Sequence, residues 1–339
     1  MANGGFIGKR LVPIITSAKG VWTANELYHA RLDGIWPLLV VNVVTDFLII
    51  AGGAGGATGT ALAGGGAGGY LNSYGSEYSG RNSASLNAMS LAILNTYAVT
   101  IGAGGSARYN GSNTTFSGAA SDSSSISYTA IGGGAGGAFT DGWNGGSGGG
   151  GGHDTSDAKI HKTPGSGTSN QGFDGGESGA QPSDWYFCSA IGGNFCAPQK
   201  FAGGGGGGAG GVGGSVNDGL AIDQEIPLVT GAGGAGLASL ITGTSVTRAA
   251  GGSGSGSGFD SNDTNTAMPA GSGSSSNGGG GRGGGSNNTG GDGIIILRYS
   301  NLFSMTNPGG GLTISTATDG SDKVSSITAG TGNITFGIA

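Results

Sequence analysis

The chain has 339 residues, of which 83 are glycine and 8 are proline, and its formal net charge is −6. This composition excludes collagen, because the glycines follow no strict three-residue period and proline is scarce. Only 9% of the residues are charged whereas 35% are hydrophobic, which argues against disorder, since disordered chains are usually charged and poor in apolar residues. The acidic balance also argues against nucleic-acid binding, which needs clustered Lys and Arg.

The first segment, residues 1–46, is poor in glycine and contains the sequence WTANELYHARL. Thr23 and Glu26 fit a capping box, which predicts a short helix that continues to Arg31. A segment of this size with one helix cannot bury a sizeable core alone. We therefore expect an attachment segment that docks on another protein, and its candidate contact residues are Trp22, Glu26, Tyr28, Arg31 and Trp36.

The most apolar stretch, PLLVVNVVTDFLIIA at residues 37–51, is interrupted by Asn42 and Asp46. It is too short and too polar for a transmembrane helix, and the first twenty residues lack the apolar region of a secretory signal. We expect one or two buried strands here and no membrane insertion.

Residues 47–300 hold most of the glycines, in phrases such as AGGAGG and GGGGGGAGGVGG that recur at irregular spacing between strand-like runs such as FLII and GIIILRY. A polyproline-II helix of glycine has no internal hydrogen bonds, so its N–H and C=O groups can pair with neighbouring helices about 120° apart. A Cβ atom at the contact would prevent that close approach. We expect a sandwich-like domain of polyglycine-II helices and strands, with the inserts exposed as loops; for a single run, a flexible linker is the alternative.

The last segment, residues 301–339, predicts a small β unit. Leu312, Ile314 and Thr316 alternate with polar residues, and the Asp319–Gly320 pair is a hairpin turn signal. The expected fold class is therefore mostly β and irregular, with a short helical segment at the start of the chain.

No motif in the chain predicts catalysis or a cofactor. The stretch FLIIAGGAGGATGTALA departs from a dinucleotide-binding pattern, because Thr58 stands where the third glycine is required. His153 and His161 do not have the spacing of zinc ligands. Asp174 and Glu177 are three residues apart in a glycine-rich loop and do not resemble the carboxylate pair of a glycosidase. We expect a protein that is not an enzyme and that binds no metal or cofactor.

The insert QPSDWYFCSAIGGNFCAPQKF, residues 181–201, concentrates aromatic side chains. Aromatic residues on rigid loops offer a large contact area at low entropic cost and dominate binding hot spots. Cys188 and Cys196 form either a disulfide that closes this loop or two free thiols. The receptor-binding candidates are Trp143, Trp185, Tyr186, Phe187, Phe195 and Phe201. The alternative for the insert is a small core under the loop.

Several phrases, in their order, resemble a known class of proteins. The opening ANGGFIGKR, SAKGVW, ELYHAR and GIWP is similar to a segment of virion tail and fibre proteins of tailed phages from aquatic environments. The series LIIAGGAGG, GGGAGGYL, YAVTIGAGG, GGGGGGAGG and GGDGIIILRYS resembles the glycine-rich domain of phage tail fibres and adhesins. The final ITAGTGNITF resembles the short β units that follow this domain.

The resemblance implies an exposed virion protein, a tail fibre or tail-tip adhesin, whose loops contact a host surface glycan or an outer-membrane protein. It also implies a homotrimer that is held by other tail or virion proteins through its N-terminal segment. Two alternatives stay open. One is a purely architectural head or tail appendage without receptor contact, and the other is an ice-binding or matrix protein, which would need a flat face of regularly spaced Thr or Ala.

Overall fold

The structure is a computed structural model that describes residue 29 and residues 41–59, 62–93, 95–153, 161–181, 200–216, 229–259, 265–267, 278–280 and 288–339. The chain divides into two compact units, Met1–Asn42 and Val43–Ala339. Within the first unit, the predicted helix and the attachment residues lie outside the described residues, apart from His29, which has helical conformation.

The prediction of a mostly β fold is confirmed. The described residues form sixteen strands and one 3₁₀ segment, Gly80–Asn82. The strands are β1 (Asn42–Ile50), β2 (Tyr70–Asn72), β3 (Met89–Ala92), β4 (Thr96–Thr100), β5 (Thr114–Ala119), β6 (Ser125–Ala130), β7 (Gly179–Gln181), β8 (Lys200–Ala202), β9 (Leu237–Ser239), β10 (Val246–Arg248), β11 (Gly256–Phe259), β12 (Asn265–Ala267), β13 (Ile294–Ser300), β14 (Phe303–Thr306), β15 (Leu312–Asp319) and β16 (Asp322–Ile338).

Ten of these strands form one sheet, with the order β2-β1-β13-β16-β4-β5-β6 and with β3, β14 and β15 paired outside this path. The 17-residue strand β16 connects strands β2, β1 and β13 with strands β4, β5 and β6. Its first part pairs with β13 and its last part pairs with β4. The sheet is strongly curled, since the ring of Phe47 in β1 lies 4.6 Å from the ring of Tyr128 in β6, five strands further along the order.

The predicted C-terminal β unit is part of this sheet. Strands β15 and β16 form the expected hairpin, with Asp319 paired to Asp322 and Gly320 at a φ of 61°. A left-handed φ is readily adopted by glycine and explains the Asp-Gly signal in the sequence. The strands of residues 301–339 thus share one sheet with the strands that border the glycine phrases.

The end of β1, residues 47–50, and the start of β13, residues 294–297, are buried on both faces. Phe47 and Ile49 of β1 face a core inside the curled sheet, whereas Leu48 and Ile50 face a second core that includes Ala67 and other small residues of the glycine-rich segments. A strand with two buried faces has a continuous apolar run instead of alternation. The runs FLII and IIIL are therefore the junction between the sheet and the glycine-rich bundle.

Residues 51–57 show the three-residue period of polyglycine II. Consecutive N–H groups donate to three different neighbouring segments, and the fourth returns to the first neighbour, as expected for three residues per turn. The donor and acceptor residues are Ala51–Gly69, Ala54–Gly66 and Ala57–Ala63 for one neighbour, Gly52–Ser112 and Gly55–Tyr109 for the second, and Gly53–Gly291 and Gly56–Asn288 for the third, at 2.8–3.1 Å.

The run at residues 203–209 is an interior member of this bundle. Its N–H groups donate to three segments and its carbonyl groups accept from three others, so that six neighbours surround it. The donating contacts reach residues 249–255, 148–151 and 211–214, and the accepting contacts come from residues 231–234, 64–67 and 173–176. The predicted polyglycine-II bundle is thus formed within one chain.

Close backbone contact explains why this run is almost pure glycine. A Cβ atom built on any residue from 203 to 208 would overlap the backbone of a neighbouring segment. At Gly206 the overlapping atom is the carbonyl oxygen of Gly65. Since backbone atoms cannot move aside as a flexible side chain can, no larger residue fits without separating two segments.

We expect the substitution Gly206→Ala to lower the free energy of unfolding by about 1–3 kcal/mol, because the added methyl group forces the 203–209 and 64–67 segments apart. Urea denaturation of the full chain measures this change.

Gly211→Ala is the matched control, since the nearest atom to its added Cβ is the Ala235 backbone nitrogen at 3.3 Å. We expect a change within about 0.5 kcal/mol for this variant. Equal effects of the two substitutions would contradict close packing at Gly206.

Candidate functional site

One end of the glycine-rich bundle starts at the sheet, and the other extends away from it. Ala51 directly follows β1 and pairs with Gly69, which directly precedes β2. Six residues later, Ala57 pairs with Ala63, which is about 19 Å further along at 3.1 Å per residue. At that level Ala63 also donates to Gly137. The loop that follows Gly137 is therefore held at a distance from the sheet.

A groove lies near this far end between two outer segments, residues 109–113 and 140–144. Ala135 in the segment beneath connects the two walls: its N–H donates to Oδ1 of Asn110 at 2.8 Å, and its carbonyl oxygen accepts from the Trp143 N–H at 3.0 Å. The groove has a volume of about 440 Å³ and is lined by Asn110, Thr140, Asp141, Gly142, Trp143 and Asn144. We call it the Trp143 groove.

One exposed aromatic side chain, Trp143, lines the groove, and a second, Tyr109, lies beside it. Trp143 is 52% exposed, and Tyr109, which precedes the lining residue Asn110, is 66% exposed. The loops that lead to the walls contain Arg108 and Phe139 at φ angles of 69° and 62°. Left-handed φ angles are unfavourable for bulky residues and are retained mainly where the surrounding structure imposes them, often at functional sites.

Polar side chains complete the backbone hydrogen bonds at the groove. Oδ1 of Asp141 accepts from the Thr163 N–H at 2.9 Å, and Oδ1 of Asn144 accepts from the Ser166 N–H at 2.7 Å. The three-residue spacing of these acceptors matches the polyglycine-II period. Each side chain is thereby oriented by one of its two terminal atoms. Among the described residues, Oδ2 of Asp141 and Nδ2 of Asn144 have no protein partner.

Asn110 belongs to a second pair of this kind, with Asn113. Their Oδ1 atoms accept from the N–H groups of Ala135 and Gly132, both at 2.8 Å. These side chains take the place of a further polyglycine-II segment, whose carbonyl groups would otherwise receive the same N–H groups. The groove therefore lies at an edge of the bundle where side chains, and not a further segment, satisfy the backbone N–H groups.

An ion pair supports the segment behind the Trp143 wall. Oδ1 of Asp174 accepts from the Gly167 N–H at 2.8 Å, and the Arg81 guanidinium pairs with the same carboxylate at 3.2 Å. Partial burial acts to raise the pKa of Asp174, but the hydrogen bonds from Arg81 and Gly167 and the Arg81 charge outweigh it, and the pKa lies below its ordinary value of 3.8.

The two receptor-binding candidates that the structure describes, Trp143 and Phe201, differ in their exposure to solvent. Trp143 is exposed on the groove wall, whereas Phe201 is 1% exposed and its ring lies 5.0 Å from the ring of buried His153. A residue buried in this way cannot contact a receptor, so the assignment of Phe201 as a receptor-binding residue is wrong. Phe201 belongs to a small core, which was the alternative interpretation of this insert. His161 is also near, with its ring 6.3 Å from that of His153.

The other candidates lie outside the described residues. Strands β7 and β8 pair antiparallel, with Gln181 opposite Lys200, so both ends of the insert at residues 182–199 are held side by side. The roles of Trp185, Tyr186, Phe187, Phe195, Cys188 and Cys196 in that insert stay predictions.

Sequence reasoning missed Tyr109 and the polar residues of the groove. Tyr109 lies in SARYNGSN, a short insert between two glycine-rich segments that carries one aromatic residue. The spacing of Asp141 and Asn144, three residues apart directly beside glycine phrases, is a usable signal once the polyglycine-II period is known.

Residues 39–300 match the model of a family described as a glycine-rich domain. This match covers more than half of the chain, and the chain belongs to that family. A comparison with curated proteins and a comparison with solved structures each found no match.

Two searches of the described residues were also negative. None of their helices is long and apolar enough to cross a membrane. Within the same part of the chain, no three His, Cys, Asp or Glu side chains are grouped so that they could hold a metal ion.

We expect Trp143→Ala to leave the thermal unfolding midpoint nearly unchanged, because half of the side chain is in solvent and the loop is held by backbone bonds. Phe201→Ala should lower the free energy of unfolding by about 3–5 kcal/mol, since it leaves a cavity in a packed site. Calorimetry on both variants measures these changes; similar losses would show that Trp143 is a packing residue.

The lowered pKa of Asp174 predicts a contribution to stability that depends on pH. Because the folded pKa is below the unfolded one, the contribution is present above the unfolded pKa of 3.8 and is lost as pH falls through the folded pKa. Asp174→Asn keeps an Oδ1 acceptor for Gly167 but removes the charge. We expect its unfolding free energy to fall less steeply below about pH 4, by up to about 1 kcal/mol; identical pH profiles would contradict the pairing.

Proposed function

We propose that this chain is an exposed virion protein of a tailed phage, a tail fibre or tail-tip adhesin, that contacts the host cell surface through loops at the far end of its glycine-rich bundle. It is a binding protein and not an enzyme. The residues that we assign to contact are Tyr109, Phe139 and Trp143, together with the insert at residues 182–199.

The observation that carries this proposal is the presentation of exposed aromatic side chains on short loops of a rigid bundle. The Trp143 backbone is held on both sides, because its N–H donates to Ala135 and its carbonyl oxygen accepts from Gly149 at 2.9 Å. Aromatic side chains on a fixed backbone lose little conformational entropy on binding. The resemblance of the glycine phrases to phage tail proteins agrees with this interpretation.

A virion presents several copies of such a protein, and we propose a homotrimer attached through residues 1–46. Linked copies raise the effective concentration of each further contact, so that weak individual binding gives firm attachment. A glycan or an outer-membrane protein is repeated over a cell surface and suits this mode of binding.

The test uses phage particles that carry this chain. Gold-labelled Fab fragments raised against the purified chain should bind the tail in electron micrographs, and unlabelled Fab should reduce the adsorption rate constant. Introducing Trp143→Ala into the phage should lower the same rate constant by about tenfold or more. Tyr78→Ala is the matched control, because Tyr78 is 60% exposed and lies in the loop that follows β2 at the sheet; we expect normal adsorption.

Three results would overturn parts of the proposal. Particles without label would exclude a virion protein. Labelled particles that adsorb normally in the presence of Fab would favour an architectural component without receptor contact. Light scattering of the purified chain that gives the mass of one copy would exclude the homotrimer.

A further inference from the structure

We propose that the Trp143 groove binds a single sugar ring of a neutral or N-acetylated glycan, with the ring stacked on the Trp143 indole. This inference rests on the proposed function, for which it names the ligand chemistry and the residues. The argument follows from the shape of the groove, its hydrogen-bonding groups and its charge.

The groove offers one flat apolar surface on an otherwise polar lining. Of its lining side chains only Trp143 is large and apolar, and the others are amide, hydroxyl or carboxylate groups. A protein partner is normally bound through several apolar contacts with a polar rim. A sugar ring has one apolar face of C–H groups and a rim of hydroxyl groups, which fits a single indole surrounded by polar atoms.

The side chains of the lining residues carry both hydrogen-bond donors and acceptors. Oδ2 of Asp141 is an acceptor, and Nδ2 of Asn144 is a donor, while the Oδ1 atom of each holds a backbone N–H. The Thr140 hydroxyl donates to the Asp141 carbonyl oxygen at 3.2 Å and can still accept. Hydroxyl groups of a sugar both donate and accept, so neighbouring hydroxyls can pair with this mixed set.

The charge of the groove argues against acidic ligands. Among the described residues, its lining contains the Asp141 carboxylate and no Lys, Arg or His, and the whole chain has a net charge of −6. Phosphate, sulfate and uronic acid groups would therefore meet repulsion from Asp141, with no cation among the described lining residues to compensate it. Neutral hexoses and N-acetylated hexosamines lack this penalty.

The size of the groove agrees with a small ligand. The groove is shallow and open, with a volume of about 440 Å³, so it has room for one sugar ring but does not enclose it as a deep cavity would. Its walls are held by hydrogen bonds from Ala135, Thr163 and Ser166, so that it exists before a ligand binds. Preformed walls reduce the entropic cost of binding.

The first experiment measures binding of the full-length chain to an array of bacterial surface saccharides, followed by calorimetric titration with methyl glycosides of glucose, galactose, N-acetylglucosamine and glucuronic acid. We expect binding to at least one neutral or N-acetylated glycoside and none to the glucuronide. Binding that is restricted to acidic saccharides, or no binding at all, would overturn the inference.

Variants then locate the site. Trp143→Ala should weaken binding at least about tenfold, whereas Trp143→Phe should retain part of the affinity because an aromatic face remains. Asp141→Asn preserves the Oδ1 acceptor for Thr163 but turns the second atom into a donor, and we expect a loss of about 3- to 30-fold. Tyr78→Ala should bind as the wild type does. Unchanged affinity of both Trp143→Ala and Asp141→Asn would place any glycan site elsewhere.

A cell-based measurement separates this inference from the proposed function. Periodate oxidises vicinal diols of surface sugars, whereas proteinase K removes exposed proteins. Adsorption that is lost after periodate and kept after proteinase K supports the sugar subsite. Adsorption with the opposite sensitivity, still reduced by Fab, leaves the adhesin function intact and overturns the sugar subsite. Glycan binding by a chain that is missing from virions would remove the proposed function and keep the subsite.

Discussion

The structure depends on backbone hydrogen bonds between glycine segments that lie too close for a Cβ atom. Each such bond has a modest net contribution, about 0.5–1.5 kcal/mol, but an interior segment makes them in six directions along its whole length. Because these bonds join backbone to backbone, most positions in the lattice accept only glycine, and alanine occurs where its Cβ atom fits between the segments. The high glycine content is thus the requirement for order in this chain, although elsewhere it is the mark of flexibility.

Large apolar side chains stabilise the sheet and its junction with the glycine-rich bundle. Polyglycine segments bury little apolar surface, so the hydrophobic contribution comes from the curled sheet and from its junction with the bundle at β1 and β13. Tyr97, Phe116 and Phe336 form the aromatic centre of that sheet, with ring separations of 5.6 and 6.4 Å about Tyr97. The sheet fixes one end of every adjoining glycine segment. The hydrogen bonds between these segments then hold the Trp143 groove in a defined position relative to the sheet.

Sequence reasoning was most successful where one physical constraint decides the structure. Glycine phrases interrupted by FLII and IIIL predicted the bundle and the buried strands. The alternation at residues 312–316 and the Asp319–Gly320 turn predicted the C-terminal hairpin. The groove was harder, because Asn110 and Asp141 are close only through the register of Ala135 between them. Phe201 was wrongly assigned for a related reason: an aromatic residue in a loop and one in a small core have the same local pattern. They are distinguished by packing partners that are distant in the sequence, here Ala180 and His153, which is 48 positions away.

The order of the segments in the lattice has a consequence for how the chain reaches its native state. The segment at residues 63–69 has neighbours that range from residue 51 to residue 278, and Gly53 donates to Gly291. A nascent chain on the ribosome therefore cannot complete even this early segment until most of the protein has been synthesised. Contacts so distant along the chain are associated with slow folding, and the waiting glycine segments remain hydrated coils whose pairing partners do not yet exist.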